Sequence, residues 1–290
     1  MKRILPTWLS AYQSLRQSLL KVSEDEREAR NMALTVMKEL LQIEAASDLF
    51  MQLDRELTAE QATGLQHMEE ALLQNRPLQY VLGYTDFDGL RLKVDERVLI
   101  PRPETESLVH EALRRHPQPQ TILDIGTGSG CLALSLKRQH PKARVVAWDR
   151  SREALALAEE NARNLKLTIE GQERDFWEES KHHEASERYA LIVSNPPYVT
   201  KDEWHELSER VRAYEPRMAL VPEEKPVEAV YEALAELALH RLEAGGWIGV
   251  EIHADYGAVV QRHFARRLHS VALIADYTGR DRFIFGRKPK

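Results

Sequence analysis

The sequence predicts an α/β protein in which a small helical region precedes a domain built around a parallel sheet. From residue 121 onward, short apolar runs alternate with helical segments, a pattern typical of a parallel sheet covered on both faces. A loop with three glycines follows the first of these runs. Residues 1 to about 75 show only the helical spacing of apolar residues. These observations divide the chain into two parts of different architecture.

Length, composition and charge limit the classes of protein to which the chain can belong. Its 290 residues suffice for two domains, and no apolar run is long enough to cross a bilayer. The net charge of −6, without a run of lysine or arginine, argues against a surface for duplex nucleic acid. The single cysteine, Cys131, excludes an internal disulfide and a cysteine-rich zinc site. We therefore expect a cytoplasmic protein without a signal peptide, a membrane contact or a metal.

Residues 1–75 are predicted to form a bundle of four or five helices. The first helix is expected at about residues 7–21, and "ASDLFMQLD" at residues 46–54 can form a short one. Two sequences fit capping boxes: "SEDE", with Ser23 as the N-cap and Glu26 reaching back, and "TAEQ", which begins at Thr58. Twelve acidic and eight basic side chains argue against a nucleic-acid-binding arm. Two interpretations of this bundle are compatible with the sequence: a cap that stabilises the α/β domain, and a docking surface for a protein partner.

Residues 76–100 are predicted to connect the two parts as a β-hairpin. The alternating segment "YVLGYTDFDGLRLKVDERVLI" contains Asp88-Gly89, a dipeptide typical of hairpin turns. The proline-containing segment "PRPETE" follows and precedes a helix that is expected to begin near Thr105. The α/β domain is accordingly placed at residues 101–290.

The α/β domain is expected to carry its ligands at the carboxyl ends of its strands. The predicted strands contain "TILDIG", "ARVVAWD", "YALIVSN" and "WIGVEI", and another strand precedes "ERDFWEE". The long helix in "PVEAVYEALAELALHRL" is expected to stop at Gly245-Gly246. An antiparallel hairpin, "VALIADYTGRDRFIFG", is expected to close the chain. The loops after the parallel strands therefore form the candidate site.

The loop in "LDIGTGSGCLAL" is the first part of that candidate site. Glycines allow tight turns and close approach to a ligand, and here they are Gly126, Gly128 and Gly130. Asp149, at the end of the next strand, is placed to accept the hydroxyl groups of a ribose. Cys131 occupies the last glycine position of the dinucleotide-binding pattern G-x-G-x-x-G. The pattern D-x-G-x-G-x-G, which begins at Asp124, instead resembles S-adenosylmethionine methyltransferases, in which this acid can orient the loop and approach the methionyl amino group.

Asp175 and Phe176 follow the next predicted strand, at the same edge of the sheet. The carboxylate can bond an adenine amino group, and the aromatic ring can stack on the base. The alternative is an ordinary loop with a buried aromatic residue. We favour a nucleoside site because these two residues, the glycine loop and Asp149 all lie at corresponding strand ends.

The segment "IVSNPPYVT" ends a buried strand with an amide and two prolines. Asn195 and the carbonyl of Pro196 can each accept one hydrogen from an NH2 group and hold its nitrogen in line with a methyl donor. Pro196 and Pro197 fix the backbone and remove competing N–H donors, and Tyr198 can pack on a flat substrate group. A proline-stiffened loop with a capping asparagine is the alternative. In this context we interpret the loop as a clamp for a planar nitrogen.

Together these motifs resemble the HemK/PrmC family, the peptide chain release factor glutamine methyltransferases. The shared segments are "PLQYVLGYTDFDGL", "VLIPRPETE", "LDIGTGSGCLAL", "SNPPYV", "YEPRMAL" and "GRDRFI". The resemblance covers nearly the whole chain. It implies a helical N-terminal domain, a hairpin linker and a seven-stranded, Rossmann-like class I methyltransferase domain.

The resemblance also implies a reaction and a set of site residues. Methyl transfer from S-adenosylmethionine, leaving S-adenosylhomocysteine, would modify the glutamine amide nitrogen in the Gly-Gly-Gln motif of class 1 release factors. The implied cofactor-binding residues are Asp124, Gly126, Thr127, Gly128, Ser129, Gly130, Asp149, Asp175, Phe176 and Asn195. The implied glutamine-binding and catalytic residues are Asn195, Pro196, Pro197 and Tyr198. Arg102 and Glu104 would line the pocket or, alternatively, anchor a helix start to the hairpin.

Partners and rival functions complete the expectations. The helical domain would dock the release factor away from the site, and the protein is expected to be a monomer that does not bind nucleic acid directly. Rivals are an exocyclic-amine methyltransferase acting on adenine or guanine in nucleic acid, and a non-catalytic S-adenosylmethionine-binding protein. Two segments depart from the family pattern, residues 221–230 and 253–256, and both are expected to lie outside the methyl-transfer core. His182-His183 is interpreted as a solvated pair, and His253 is given no role.

Overall fold

The computed structural model describes the chain at residues 5–43, 48, 53–182, 187–222, 225–276 and 278–290. The chain forms two compact units, the first comprising Met1–Gly83 and Glu209–Tyr214, the second Tyr84–Ser208 and Glu215–Lys290. Within the described ranges, no helix combines the length and the apolar character needed to cross a membrane. The short helix predicted at residues 46–54 and the histidine pair at 182–183 fall largely or partly outside the described residues.

The first unit is helical, as predicted. Its described helices are α1 (Trp8–Leu19), α2 (Glu26–Leu41), α3 (Ala59–Leu73) and α4 (Leu78–Leu82). Apolar residues at helical spacing point inward from the first three of these helices and form one core, which includes Trp8, Leu15, Val36, Met37 and Leu72. Burial of these side chains holds the short helices together, because isolated helices of this length are marginal in water.

Helix caps in the first unit confirm one predicted capping box and correct the other. At α3, Thr58 accepts a hydrogen bond from the backbone of Gln61, and the Gln61 side chain bonds back to Thr58. At α2 the predicted cap at Ser23 is wrong, because the Ser23 N–H still donates to Leu19 and belongs to the turn that ends α1. Asp25 is the N-cap instead, and its carboxylate accepts from the Glu28 N–H at 2.8 Å.

A distant segment completes the first unit. The helix Glu209–Tyr214 lies 126 positions beyond Gly83 in sequence yet packs with the N-terminal helices. Arg210 Nη1 donates to Glu28 at 2.8 Å, its Nη2 donates to the Val22 carbonyl at 3.1 Å, and the Tyr214 hydroxyl donates to the Gln74 carbonyl at 2.8 Å. No local pattern in the sequence predicts this return of the chain.

The second unit begins with the predicted hairpin, β1 (Tyr84–Phe87) and β2 (Leu90–Lys93), which pair antiparallel. The hairpin is shorter than the predicted connector at residues 76–100, because Leu78–Leu82 forms helix α4 of the first unit. Asp88 and Gly89 both have positive φ, at 46° and 69°, as the tight turn requires. Asn161 fixes the hairpin to the rest of the unit, since its side chain accepts from the Lys93 N–H at 2.7 Å and donates to the Lys93 carbonyl at 3.0 Å.

A mixed seven-stranded sheet forms the centre of the second unit and confirms the predicted fold class. Its strands are β3 (Thr121–Ile125), β4 (Arg144–Asp149), β5 (Glu170–Glu173), β6 (Tyr189–Ser194), β7 (Leu242–Glu251), β8 (His269–Ala275) and β9 (Asp281–Arg287). The strand order is β5-β4-β3-β6-β7-β9-β8. The first five strands are parallel, and β9 pairs antiparallel with both of its neighbours. The order reverses beside β3, so ligands are expected near its carboxyl end.

Helices cover both faces of this sheet. The helices of the second unit are α5 (Glu106–Arg115), α6 (Cys131–Gln139), α7 (Arg152–Leu165), α8 (Phe176–Glu179), α9 (Lys201–Glu206), α11 (Val227–Arg241) and α12 (Gly257–Ala265), with α10 (Glu209–Tyr214) assigned to the first unit. Successive strand residues enter opposite cores: Ile122 packs with α5 and α6, whereas Leu123 packs with α11 and α12. Burial on both faces explains the continuously apolar strands in the sequence.

The glycine pair at 245–246 does not end a helix, and that prediction is wrong. Helix α11 ends at Arg241, and β7 begins at the next residue, Leu242, whose ψ of 145° is already extended. The pairing of β6 with β7 shifts register here, and Gly245 has a φ of 78°. A Cβ on Gly246 would lie 2.9 Å from the carbonyl oxygen of Ala190. The glycines therefore permit an irregularity within the sheet.

Candidate active site

The glycine loop lies between β3 and α6, at the carboxyl end of the central strand. Gly126, Gly128 and Gly130 have φ values of 70°, 54° and 83°, all in the region that favours glycine. The N–H groups of Gly126 and Thr127 both donate to the Trp148 carbonyl at 2.9 Å, which fastens the loop to β4. The loop thus turns sharply and leaves its backbone exposed to the space above the strands.

Asp124 supports this loop from beneath. Its side chain is fully buried, and Oδ2 accepts hydrogen bonds from the Thr127 hydroxyl at 2.6 Å and the Ala133 N–H at 3.1 Å. Oδ1 has no hydrogen-bond partner among the described residues. Burial raises the pKa of Asp124 to about 7, against the lowering effect of those two hydrogen bonds. Asp124 fixes the loop but does not line the cavity above it.

Asp149 ends β4 and faces the same space. Its Oδ2 accepts from the Gly128 N–H and its Oδ1 from the Ser151 N–H, both at 2.9 Å. Each carboxylate oxygen retains a second lone pair, so Asp149 can still accept hydroxyl groups of a ligand. Burial raises the pKa of Asp149, whereas the backbone N–H donors lower it.

Asp175 and Phe176 lie after β5, as the sequence predicts. Asp175 is the N-cap of α8 and accepts from the Trp177 N–H at 2.9 Å. The rings of Phe176 and Trp177 stack with centroids 4.7 Å apart, and the Lys225 ammonium lies 3.8 Å from the Trp177 ring centroid. This aromatic pair forms an apolar wall on which a flat ring can pack.

The loop from Asn195 to Tyr198 follows β6 directly. Asn195 Nδ2 donates to the Thr105 hydroxyl at 3.3 Å, and that hydroxyl donates to Glu251 Oε2 at 2.6 Å. The Tyr198 hydroxyl donates to Glu251 Oε1 at 3.0 Å. The side-chain oxygen of Asn195 accepts no hydrogen bond from the part of the chain that the structure describes. It is therefore available to a substrate N–H.

One cavity joins these parts of the second unit. The predicted site residues that line it are Gly126, Thr127, Gly128, Ser129, Asp149, Asp175, Phe176, Asn195 and Pro197. The predicted site residues that do not line it are Asp124, Gly130, Pro196, Tyr198, Arg102 and Glu104. Arg102 donates to the buried carboxylate of Glu215 at 2.8 Å, and the same carboxylate accepts from the Ile100 N–H at 3.1 Å. The ligand-binding roles of both sets stay predictions.

Comparison with known proteins places this site in a family. A release factor glutamine methyltransferase of Bacteroides thetaiotaomicron is 37% identical over 278 residues, which cover 95% of this chain and 98% of that protein. The enzyme of the same description from Streptococcus pneumoniae is 36% identical and covers 94% and 95%. This chain belongs to the release factor glutamine methyltransferase family. The resemblance inferred from the sequence motifs is confirmed.

Domain profiles and a solved structure agree with membership of the family. The PrmC N-terminal domain matches residues 11–83, and the Methyltransferase small domain matches residues 104–212. A methyltransferase structure from Pyrococcus furiosus has a TM-score of 0.52 at 16% identity, covering 77% of this chain and 98% of that one. At this identity the likeness concerns the fold alone, and it confirms the methyltransferase architecture.

Sequence reasoning missed two buried residues of this family member's site. Thr105 was expected only as the start of a helix, yet its hydroxyl lines the cavity and bonds Asn195. Glu251 ends the apolar strand β7 and was expected only as part of the predicted strand "WIGVEI". A carboxylate in an otherwise apolar strand was the available signal, because a buried charge needs partners.

His253 also has partners that the sequence did not reveal. Its Nε2 lies 2.7 Å from Glu203 Oε1, and its ring lies edge-on to Tyr198 with centroids 6.1 Å apart. The departure at residues 253–256 therefore begins beside the N-P-P-Y loop. The departure at residues 221–230 begins with Val221 and Pro222, which line the cavity. The expectation that both segments lie outside the core is therefore wrong. Glu203, His253 and Asp255 each bring one potential ligand atom within 4.8 Å of the others, and the bond between Glu203 and His253 already accounts for their proximity.

Proposed function

We propose that this protein transfers a methyl group from S-adenosylmethionine to the side-chain amide nitrogen of glutamine in the Gly-Gly-Gln motif of class 1 release factors. The observation that carries the proposal is the near-complete match to proteins named for release factor glutamine methylation. The cavity supports it, because the residues proposed to bind the nucleoside and the carboxamide of Asn195 line the same cavity.

The residues of the cavity fit S-adenosylmethionine. The glycine loop leaves backbone close to a ligand, Asp149 keeps lone pairs for ribose hydroxyls, and Phe176 lies where an adenine ring can stack. Asp175 is proposed to bond the adenine amino group. When bound, S-adenosylmethionine supplies an electrophilic methyl carbon on a sulfonium centre.

The N-P-P-Y loop is proposed to overcome the weak nucleophilicity of an amide nitrogen by orientation. Asn195 Oδ1 accepts one amide hydrogen and the Pro196 carbonyl accepts the other, so that the nitrogen faces the methyl carbon. Positive charge that develops on the nitrogen is stabilised by the same two oxygens. The nitrogen takes the methyl group as the donor's carbon–sulfur bond breaks, S-adenosylhomocysteine is the leaving product, and the methylated nitrogen then loses one proton to water. Pro197 stiffens the loop, and Tyr198 packs against the flat carboxamide.

The helical unit is proposed to dock the release factor away from the methyl-transfer site. Its match to the PrmC N-terminal domain over residues 11–83 supports a role that belongs to this family. We further propose that the protein works in the cytoplasm as a monomer, without a metal and without binding nucleic acid directly. Arg102 and Glu104 are proposed to shape the entrance through the segment that Glu215 anchors.

Transfer of labelled methyl groups to a purified release factor tests the proposal. We expect label on the wild-type release factor, and none on a variant whose Gly-Gly-Gln glutamine is replaced by alanine or on duplex DNA. Label on DNA but not on the release factor would establish the exocyclic-amine alternative. S-adenosylmethionine binding without any transfer to the release factor would favour the non-catalytic one.

A further inference from the structure

Glu251 is a buried carboxylate that bonds one end of the N-P-P-Y loop directly and the other end through a single hydroxyl group. It is 1% exposed, and each of its oxygens accepts one hydroxyl group. Oε1 bonds Tyr198 directly, and Oε2 reaches Asn195 through the hydroxyl of Thr105. One carboxylate therefore links the first and last residues of the proposed substrate clamp.

The direction of these hydrogen bonds decides how the Asn195 carboxamide is turned. In its ionised form Glu251 only accepts, so the single proton of the Thr105 hydroxyl is then committed to Glu251. Burial raises the pKa of Glu251, against the lowering effect of the hydrogen bonds from Thr105 and Tyr198 that hold the ionised form. The hydroxyl oxygen can then only accept from Asn195, which must present its NH2 group on that side. The carboxamide oxygen consequently faces away from Thr105. Without Glu251, Thr105 could donate to that oxygen, and the opposite orientation would become available.

Thr105 is held firmly enough to act as this junction. It is 1% exposed and ends the short 3₁₀ helix Pro103–Thr105, and its β-branched side chain has few rotamers. The preceding segment is anchored by the buried carboxylate of Glu215, which accepts from the Ile100 N–H and from Arg102. Thr105 lines the cavity, whereas Glu251 does not.

We infer that Glu251, acting through Thr105, is a positioning residue that keeps the Asn195 carboxamide oxygen turned toward the substrate amide. The inference rests on the proposed function, because it names how the proposed clamp is oriented. The chain of bonds also polarises the Asn195 carboxamide. Because its NH2 group donates to a hydroxyl that itself donates to a carboxylate, the carboxamide oxygen becomes a stronger hydrogen-bond acceptor. Glu251 therefore affects both the direction and the strength of the bond to substrate without touching it.

Two substitutions at Thr105 form a matched test. Thr105→Val keeps the shape of the side chain and removes the hydroxyl, whereas Thr105→Ser keeps the hydroxyl. We expect Thr105→Val to lower kcat for release factor methylation about 10- to 100-fold, the range that a misplaced catalytic group produces. Its Kd for S-adenosylmethionine should stay within about 3-fold of wild type, and Thr105→Ser should recover most of kcat.

Glu251→Gln tests the carboxylate itself with little change in size. A glutamine offers one oxygen and one NH2 group, so it cannot accept from Thr105 and Tyr198 at its two ends. We expect kcat to fall as in Thr105→Val, with S-adenosylmethionine affinity again retained. If Glu251→Gln does not fold, the Thr105 pair still decides, because Thr105→Ser controls for packing at the same position.

Hydrogen exchange of the Asn195 side-chain NH2 group, followed by NMR, gives a readout that does not require turnover. We expect slow exchange in wild type and Thr105→Ser, and faster exchange in Thr105→Val. Unchanged exchange and wild-type kcat in Thr105→Val would overturn the inference. A wild-type protein that does not methylate the release factor would instead refute the proposed function, and the exchange measurement would still decide whether Asn195 is oriented in this way.

Discussion

The side chain of Asn195 presents its two polar ends to different neighbours. Its NH2 group bonds Thr105, and its oxygen is left for the substrate. Replacing Asn195 by alanine removes the oxygen while leaving the glycine loop and Asp149 in place. We predict a fall in kcat of about 100-fold or more, comparable to the loss of one well-placed polar group at a reacting centre.

The measurement for Asn195→Ala combines methyl-transfer rates with calorimetric binding of S-adenosylmethionine. Binding should remain largely intact, because the other lining residues of the cavity are unchanged. A variant that turned over like wild type would rule out the clamp mechanism.

Asp124 makes the stability of the fold depend on pH. Its pKa is about 7 in the folded protein and near 3.8 in the unfolded chain, so the folded state holds the proton more tightly between these values. Protonated Asp124 therefore makes its full contribution to the free energy of unfolding below about pH 4, and this contribution is lost as the pH rises through 7. Between pH 5 and 8, the free energy of unfolding should fall by up to about 3 kcal/mol from this group alone.

Asp124→Asn is the matched control for that pH dependence. The amide oxygen can take the place of Oδ2 and accept from Thr127 and Ala133, while the titrating proton is removed. Urea unfolding of both proteins at several pH values should show the wild-type stability falling relative to the variant as the pH rises. A constant difference across that range would contradict the assignment of a raised pKa to Asp124.

At the scale of elements, the glycine loop contains two positions with similar backbone but different surroundings. A Cβ on Gly130 would lie 3.0 Å from Leu134 Cδ1, whereas nothing lies within 4 Å of a Cβ on Gly128. We predict that Gly128→Ala costs about 1 to 2 kcal/mol of stability for the left-handed backbone alone. Gly130→Ala should cost more, because Leu134 must also move.

Urea unfolding measures the loss of unfolding free energy in each of the two variants. The Kd for S-adenosylmethionine shows which of them also impairs the cavity. Gly128 lines the cavity and Gly130 does not. Relative to its loss of unfolding free energy, Gly128→Ala should therefore lose more affinity for S-adenosylmethionine than Gly130→Ala. Equal stability losses in the two variants would show that the neighbouring side chain imposes no further restraint.

Periodicity and local turn chemistry made most elements predictable from the sequence. The alternation of strands and helices, the Asp88-Gly89 turn and the cap at Thr58 each depend on a few adjacent residues. Errors arose where one residue type suits two local structures. Gly245-Gly246 can end a helix or permit an irregular strand, and only the pairing of β6 with β7 selects the latter. Ser23 and Asp25 are both good caps, and the turn after α1 decides between them.

Pairing between distant residues accounts for what the sequence did not reveal about the site. Asn195 and Asp149 could be placed because Asp149 ends one strand of the parallel part of the sheet and Asn195 directly follows another. Thr105 and Glu251 are 146 positions apart, and no local pattern brings them together. The same limit applies to Arg210 and Glu28, whose ion pair depends on how the chain returns to the first unit.

At the scale of the whole molecule, the chain forms a helical unit and a second unit built around the seven-stranded sheet. Every described residue that lines the cavity belongs to the second unit. The relative from Bacteroides thetaiotaomicron matches 95% of the chain, so the match includes the helical unit as well as the second unit. We propose that the chain has a helical unit beside the second unit because the release factor docks at the helical unit.

A short substrate separates docking from chemistry. A peptide that carries only the Gly-Gly-Gln sequence can reach the N-P-P-Y loop but has no surface for the helical unit. We predict that kcat/KM for this peptide is at least about 100-fold below that for the intact release factor, because remote binding contacts contribute to positioning at the reacting atoms. Steady-state methyl transfer with both substrates measures the ratio. If the peptide and the release factor reacted with the same kcat/KM, the helical unit would have no part in substrate docking, and its role would reduce to stabilising the fold.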